Sequence, residues 1–235
     1  MYYYMENKKI YIDETKKPFG KGSEGRVYRQ QNQLYKIYEP SAIYEFGHNK
    51  LHCHQYLIGI PTKQINLPNA ILFNEDGSYA GYRMDLIPGE QKANLRVGIS
   101  QMPSPVFINN LKILEQDLTL LAKYQVVASD VQPVNYIYNQ QAQQMHIIDP
   151  GRYAIHHDVT NQEQNLIQFK SLVNQLIYND IVFYKPLKGK AKLQKLRDYI
   201  VAAKQDELDS AFFERELQDF ETPHTYFKSL ERYLH

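Results

Sequence analysis

A two-lobed α+β architecture is what the order of patterns along this chain predicts. Up to residue 87 most segments read as short strands separated by turn residues, with one helical stretch among them. Beyond residue 88 the apolar residues recur mainly at the period of helices. Between the halves, "IPGE" (Ile87 to Glu90) supplies proline and glycine where a linker belongs. The expected domains are therefore residues 1–87, a small antiparallel sheet with one helix, and residues 88–235, mainly helical.

In chain order, "PFGKG", "GRVYRQ" and "QLYKIYE" read as three short strands, the last two joined by the turn-like "QQNQ". "SAIYEFGHNKLHCHQYLIG" (Ser41 to Gly59) reads as a helix with Ser41 as its cap and Ile43, Phe46, Leu51 and Leu57 on its apolar side. "NAILFNEDGSYAGYRMDLI" is a hairpin signal, because Asp76-Gly77 sits between two apolar runs. After the linker, "VFINNLKILEQDLTLLAKY" puts Phe107, Leu111, Leu114, Leu118 and Leu121 on one helical stripe. Two short β runs follow, "NYIYN" and "MHIID", around a glutamine-rich turn. The remainder reads as helices: "TNQEQNLIQFKSLVNQLIY", "LKGKAKLQKLRDYIVAAK" and two shorter segments.

A net charge of +1 argues against a dedicated nucleic-acid binder, which would carry a strongly basic balance or face. The single cysteine, Cys53, excludes an intrachain disulfide framework and fits a reducing compartment. No apolar stretch reaches membrane-spanning length, and "MYYYMENKK" lacks the apolar core of a signal peptide. The expectation is a cytoplasmic protein without a membrane span, with secretion by a route that cleaves no signal left open.

The chemistry-bearing residues begin at "FGKGSEGRVYR", where Gly20, Gly22 and Gly25 have the spacing G-x-G-x-x-G. Such a loop can open a helix or join two strands, and in both cases its backbone N–H groups can approach a phosphate. The β-rich run after Gly25 selects the strand-to-strand form, with Lys36 on the next strand. Further on, "SDVQPVN" sets Asp130 and Asn135 five positions apart in a loop, and "IIDPG" sets Asp149 at a strand end. Singly these residues are common turn formers; as an ordered set they are specific.

That set resembles the protein-kinase superfamily over roughly residues 17 to 180, with Asp149-Pro150-Gly151 in the place of D-F-G. The resemblance implies a two-lobed protein-kinase-like fold using ATP and Mg²⁺. It assigns Lys36 and Asp130 to catalysis, the lysine on the nucleotide phosphates and the carboxylate orienting or deprotonating the acceptor. Asn135 and Asp149 would hold Mg²⁺. Gly20, Gly22, Ser23, Gly25 and Val27 would form the nucleotide lid. Met84, Asp85 and Ile87 would form the adenine-reading hinge, with Met84 as gatekeeper. Glu45 would pair with Lys36, Glu39 being its competitor. The implied activity is a serine/threonine-protein kinase of atypical, compact bacterial type, with a protein substrate. A small-molecule kinase and a nucleotide-binding pseudokinase are the alternatives.

Four departures bear on that activity. Ala128 and Ser129 stand where H-R-D has histidine and arginine, so the usual receiver for an activation-loop phosphate is missing. Gln132 replaces the catalytic-loop lysine, and no A-P-E motif follows Asp149. His48, His52 and Cys53 raise the question of zinc, but Cys53 and His52 would point in different directions on a helix and further ligands are needed. An ordinary helix face is expected there. The basic run from Lys185 to Arg197 reads as a solvated helix face, with contact to an anionic partner as the alternative.

Overall fold

The computed structural model describes residues 1–91, 102–157, 160–184 and 209–230. The predicted helix at 187–204 and the basic run lie outside these residues.

Seven antiparallel strands form the main sheet, in the order β2-β1-β6-β7-β5-β4-β3. They are β1 (Tyr2–Met5), β2 (Lys8–Tyr11), β3 (Gly20–Lys21), β4 (Gly25–Gln30), β5 (Gln33–Tyr38), β6 (Ala70–Phe73) and β7 (Tyr79–Asp85). The turn between β6 and β7 is the one expected at Asp76-Gly77, with Gly77 at φ +80° and its N–H donating to the Asn74 carbonyl at 3.0 Å. The hairpin of β1 and β2 was not anticipated. Its signal is local: alternate residues Tyr3 and Met5 are buried, and Glu6 and Asn7 take left-handed conformations at the turn. The sheet curls until Gln30 Nε2 donates to the Tyr11 carbonyl at 2.7 Å, so β4 and β2 approach each other.

Each face of the sheet has its own core. Tyr3, Met5, Ile12, Tyr28, Tyr35 and Leu72 fill the inside of the curl. On the opposite face Leu34, Tyr38, Tyr82 and Met84 pack with Val27 and receive Ile43 and Leu51 of helix α1 (Pro40–Leu57). The N-cap of α1 is Glu39 rather than Ser41, and it makes no side-chain capping bond. Pro40, with its preset φ, starts the helix two residues earlier than a Ser41 cap would.

The helical half is built on α2 (Ser104–Lys123), α3 (Asn161–Tyr184), α4 (Ser210–Leu217) and α5 (Pro223–Leu230). All five stripe residues of α2, from Phe107 to Leu121, are no more than 2% exposed. A fully buried side chain of this kind contributes roughly 1.5–3 kcal/mol, so this stripe is a major part of the core. It packs against Phe169, Leu172, Phe212 and Phe213, and the end of α1 joins it through Cys53 and Leu57.

Two small sheets carry the loops between the halves. One holds β11 (Gln144–Ile147), β10 (Tyr136–Asn139) and β8 (Glu90–Gln91), in that order; the other pairs β9 (Val126–Val127) with β12 (Ala154–Ile155). Buried Asn165 fixes β9 by donating to the Leu118 and Val126 carbonyls and accepting from the Ala128 N–H. Asp117 of α2 accepts from the N–H groups of Lys63, Gln64 and Ile65, and this segment docks on Ile147. Among the described residues, no helix is long and apolar enough to cross a membrane.

Candidate active site

Lys36 and Asp149, 113 residues apart in sequence, form an ion pair in which the lysine side chain is 6% exposed and the carboxylate 39%. Burial alone would push the Asp149 pKa up. The Lys36 charge and hydrogen bond, helped by the Gly151 N–H and the Tyr82 hydroxyl, outweigh it and hold the carboxyl below its ordinary range. Among the described residues every hydrogen bond to Asp149 falls on Oδ1: from Lys36, from the Gly151 N–H at 3.2 Å and from Tyr82 at 3.4 Å. Oδ2 is left for another ligand.

Asn135 ends a single 3-10 turn (Pro133–Asn135) and its carbonyl accepts from the Ile148 N–H at 2.7 Å. That bond extends the β10–β11 ladder and sets Asn135 beside the Asp149 position. Asn135 Nδ2 donates to the Asp130 carbonyl at 3.0 Å and to Asp130 Oδ2 at 3.1 Å. The amide is thereby oriented, and its Oδ1 is the atom available as a ligand. A carboxylate oxygen and an amide oxygen from adjacent strand ends suit Mg²⁺, which keeps water and nucleotide oxygens in its remaining positions. The donor set therefore fits the metal that the sequence implied. Gln132 Nε2 donates to Asp130 Oδ1, so the residue standing where a lysine was expected holds the carboxylate.

Backbone strain marks the same two aspartates. Seven non-glycine residues have positive φ among those described. Glu6, Asn7, Gln31 and Gln143 sit in hairpin turns, and Gln125 follows the end of α2. Asp130 (φ +65°) and Asp149 (φ +66°) belong to neither class. Left-handed residues outside such turns are held by their surroundings and cluster at functional sites.

The glycine loop divides by what its packing requires. At Gly25 a Cβ would collide with the Ile37 carbonyl on β5, so the fold itself demands glycine there. At Gly22 the nearest atom would be 4.0 Å away and at Gly20 3.7 Å, ordinary distances that a side chain tolerates. Packing within the fold therefore does not require glycine at those two positions. Ser23 is exposed at the loop tip. Val27 lies opposite Lys36 in the β4–β5 register.

Several contacts differ from expectation. Glu39 pairs with Arg26 at 3.1 Å and not with Lys36. The backbone of Glu45 lies in α1, and its side chain is outside the described residues. Among the described side chains of α1, Lys50 is the charged one that reaches the site. Its Nζ donates to Glu24 Oε2 in the glycine loop at 2.7 Å and to the Gly151 carbonyl at 3.0 Å, tying the loop to the Asp149 turn. Nothing local in the sequence distinguishes Lys50, since its partners are 26 and 101 residues away. Met84 is buried in β7 opposite Leu34. The Asp85 carbonyl accepts from Asn66 Nδ2 at 2.9 Å, and the Leu86 N–H donates to Asn32. Part of the expected adenine-reading backbone is thus bonded within the protein, and Ile87 is half-buried beside it.

Behind the ion pair sits a ring of aromatics. Lys36 and Lys50 approach the Tyr38 ring to 5.2 and 4.8 Å from its centroid. His54, 1% exposed, contacts the Tyr79 hydroxyl through Nδ1 at 2.6 Å, the Tyr82 ring at 4.7 Å between centroids, and the Pro150 backbone. Burial first, then Lys50 and Lys36, lower its pKa from 6.5 to about 3. The unfolded chain therefore binds a proton that the folded one refuses, and stability present above pH 6.5 is lost as the pH falls. Between pH 7 and pH 5 this one group is expected to cost about 2 kcal/mol. Urea midpoints of the parent and of His54→Gln at both pH values check it; an equal drop in the two proteins would contradict it.

Cys53 donates to the Tyr153 carbonyl at 3.1 Å, and burial pushes its thiol up to about 12. A protonated thiol is a poor zinc ligand. Among the described residues, no three His, Cys, Asp or Glu side chains group as a metal cluster.

No protein-family model matches this chain, and a search of curated proteins finds no matching relative.

Proposed function

We propose that this chain is a Mg-ATP-dependent phosphotransferase with the protein-kinase fold, transferring phosphate to a serine or threonine hydroxyl of a protein. The observation that carries the reading is one continuous set of contacts. It runs from Lys36 through Asp149 to the Ile148–Asn135 ladder bond and on to Asp130, on elements brought together from across the chain.

Mg-ATP, when bound, supplies the transferable phosphoryl group and cations that offset its charge. Lys36 would contact the nucleotide phosphates. Asp149 and Asn135 would hold the metal. Asp130, fixed by Asn135 and Gln132, orients the acceptor hydroxyl and takes its proton. The loop at Gly20 to Gly25 covers the phosphates and excludes water.

The brevity of the segment between Asp149 and α3 favours a second reading, a small-molecule acceptor. Only β12 and one 3-10 turn (Pro150–Arg152) occupy its described part, which is short for a peptide-docking surface. Proteins and small hydroxyl compounds offered together as acceptors separate the two.

Mg-ATP is expected to raise the melting temperature of the parent by mass action, and Asp149→Asn to remove most of the increment. ATP with a chelator should do less. Equal stabilisation of parent and variant would take Asp149 out of the metal site.

A further inference from the structure

Between the glycine loop, α1 and the strand after the Asp149 turn lies a cavity of about 580 Å³. That is the size of a small-molecule site. Its lining is unequal in charge: two cations, Lys50 and Arg152, face a single carboxylate, Glu24, with the His52 and His156 rings beside them. Cys53, Ala154 and Ile155 supply an apolar wall.

Glu24 serves Lys50 and Arg152 unequally. It is anchored in the loop, meets buried Lys50 at 2.7 Å, and stands 3.7 Å from Arg152 Nε, beyond hydrogen-bond reach. The Arg152 side chain is 59% exposed, and a guanidinium so placed adds little to stability. A tetrahedral dianion could hydrogen-bond both cations, whereas the tethered Glu24 carboxylate hydrogen-bonds Lys50 and reaches Arg152 only as a longer ion pair.

We propose that this cavity is a binding site for a phosphate monoester, whose phosphate replaces the Glu24 carboxylate on Lys50 and Arg152 while its organic part lies against Ala154 and Ile155. His52 and His156 supply further donors. Displacing Glu24 breaks the link from the loop through Lys50 to the Gly151 carbonyl, so occupancy frees the loop tip. Occupancy itself does not depend on phosphotransfer at Asp130.

The test is an NMR titration of the full chain with inorganic phosphate, glycerol 3-phosphate and a phosphoserine peptide. At least one organic phosphate should bind saturably and more tightly than inorganic phosphate. Arg152→Gln and His156→Gln, both at exposed side chains, should weaken binding about tenfold together without lowering the melting temperature. Glu24→Gln removes the competitor and should tighten binding several-fold, which a merely structural Glu24 would not do. Preference for the peptide assigns the phosphate to a protein segment; preference for glycerol 3-phosphate assigns it to a free metabolite. No saturation with any of the three probes, or affinities indifferent to both the Arg152 and Glu24 substitutions, would overturn the assignment.

Discussion

Asp130→Asn is expected to lower phosphoryl transfer by about 100-fold or more while Mg-ATP affinity stays close to that of the parent. A factor of 100 corresponds to about 2.7 kcal/mol of lost transition-state stabilisation. Asparagine keeps the size of the side chain and tolerates the left-handed backbone found at this position (φ +65°), so the loop should keep its shape. What disappears is the negative charge and the proton acceptor. Asn135 can still donate to the backbone carbonyl of residue 130, one of its two contacts there. Binding and turnover should therefore come apart, and paired measurements of labelled transfer and Mg-ATP affinity check it. A variant with undiminished transfer would remove Asp130 from the chemistry.

Gly81→Ala is expected to destabilise the protein by about 3 kcal/mol or more, at the upper end of overpacking costs. Gly81 lies in β7 at φ +156°, and a Cβ there would run into the Lys36 carbonyl on β5. The colliding partner is backbone, so the two central strands must separate, and they do so at the residue that holds Asp149. Gly77→Asn is the matched control. It sits at φ +80° in the β6–β7 turn with nothing within 4 Å of a Cβ, and asparagine accepts that conformation. Denaturant unfolding should show a large loss for the first variant and little for the second. Similar small losses in both would mean that β5 and β7 do not approach as closely as described.

These residues also show what the sequence made legible. The α2 stripe, the Asp76-Gly77 turn and the strands flanking the glycine loop could be read because each depends on neighbours a few residues away. Asp130, Asn135 and Asp149 were legible as spacing, and the fold brings them together through one ladder bond. Lys50, Glu24, Tyr82 and His54 were not, because their roles arise only when α1 lies across the sheet and meets the Asp149 turn. Glu39 was misjudged as a competitor for Lys36 for the same reason: which cation a carboxylate meets depends on strand pairing, and β4 sets Arg26 beside it. The first hairpin was missed because three consecutive tyrosines, Tyr2 to Tyr4, hide the alternation of buried Tyr3 and Met5, and its turn carries Glu6-Asn7 rather than a glycine.

The central claim is phosphoryl transfer from Mg-ATP. Its most direct test is incubation of the parent protein with γ-labelled ATP and Mg²⁺, alone and with a cell lysate, following label on the protein, on lysate proteins and on small molecules. The account predicts slow but measurable transfer to at least one acceptor that requires Mg²⁺. Saturable Mg-ATP binding with no label on any acceptor, the protein itself included, would contradict it and leave a nucleotide-binding module.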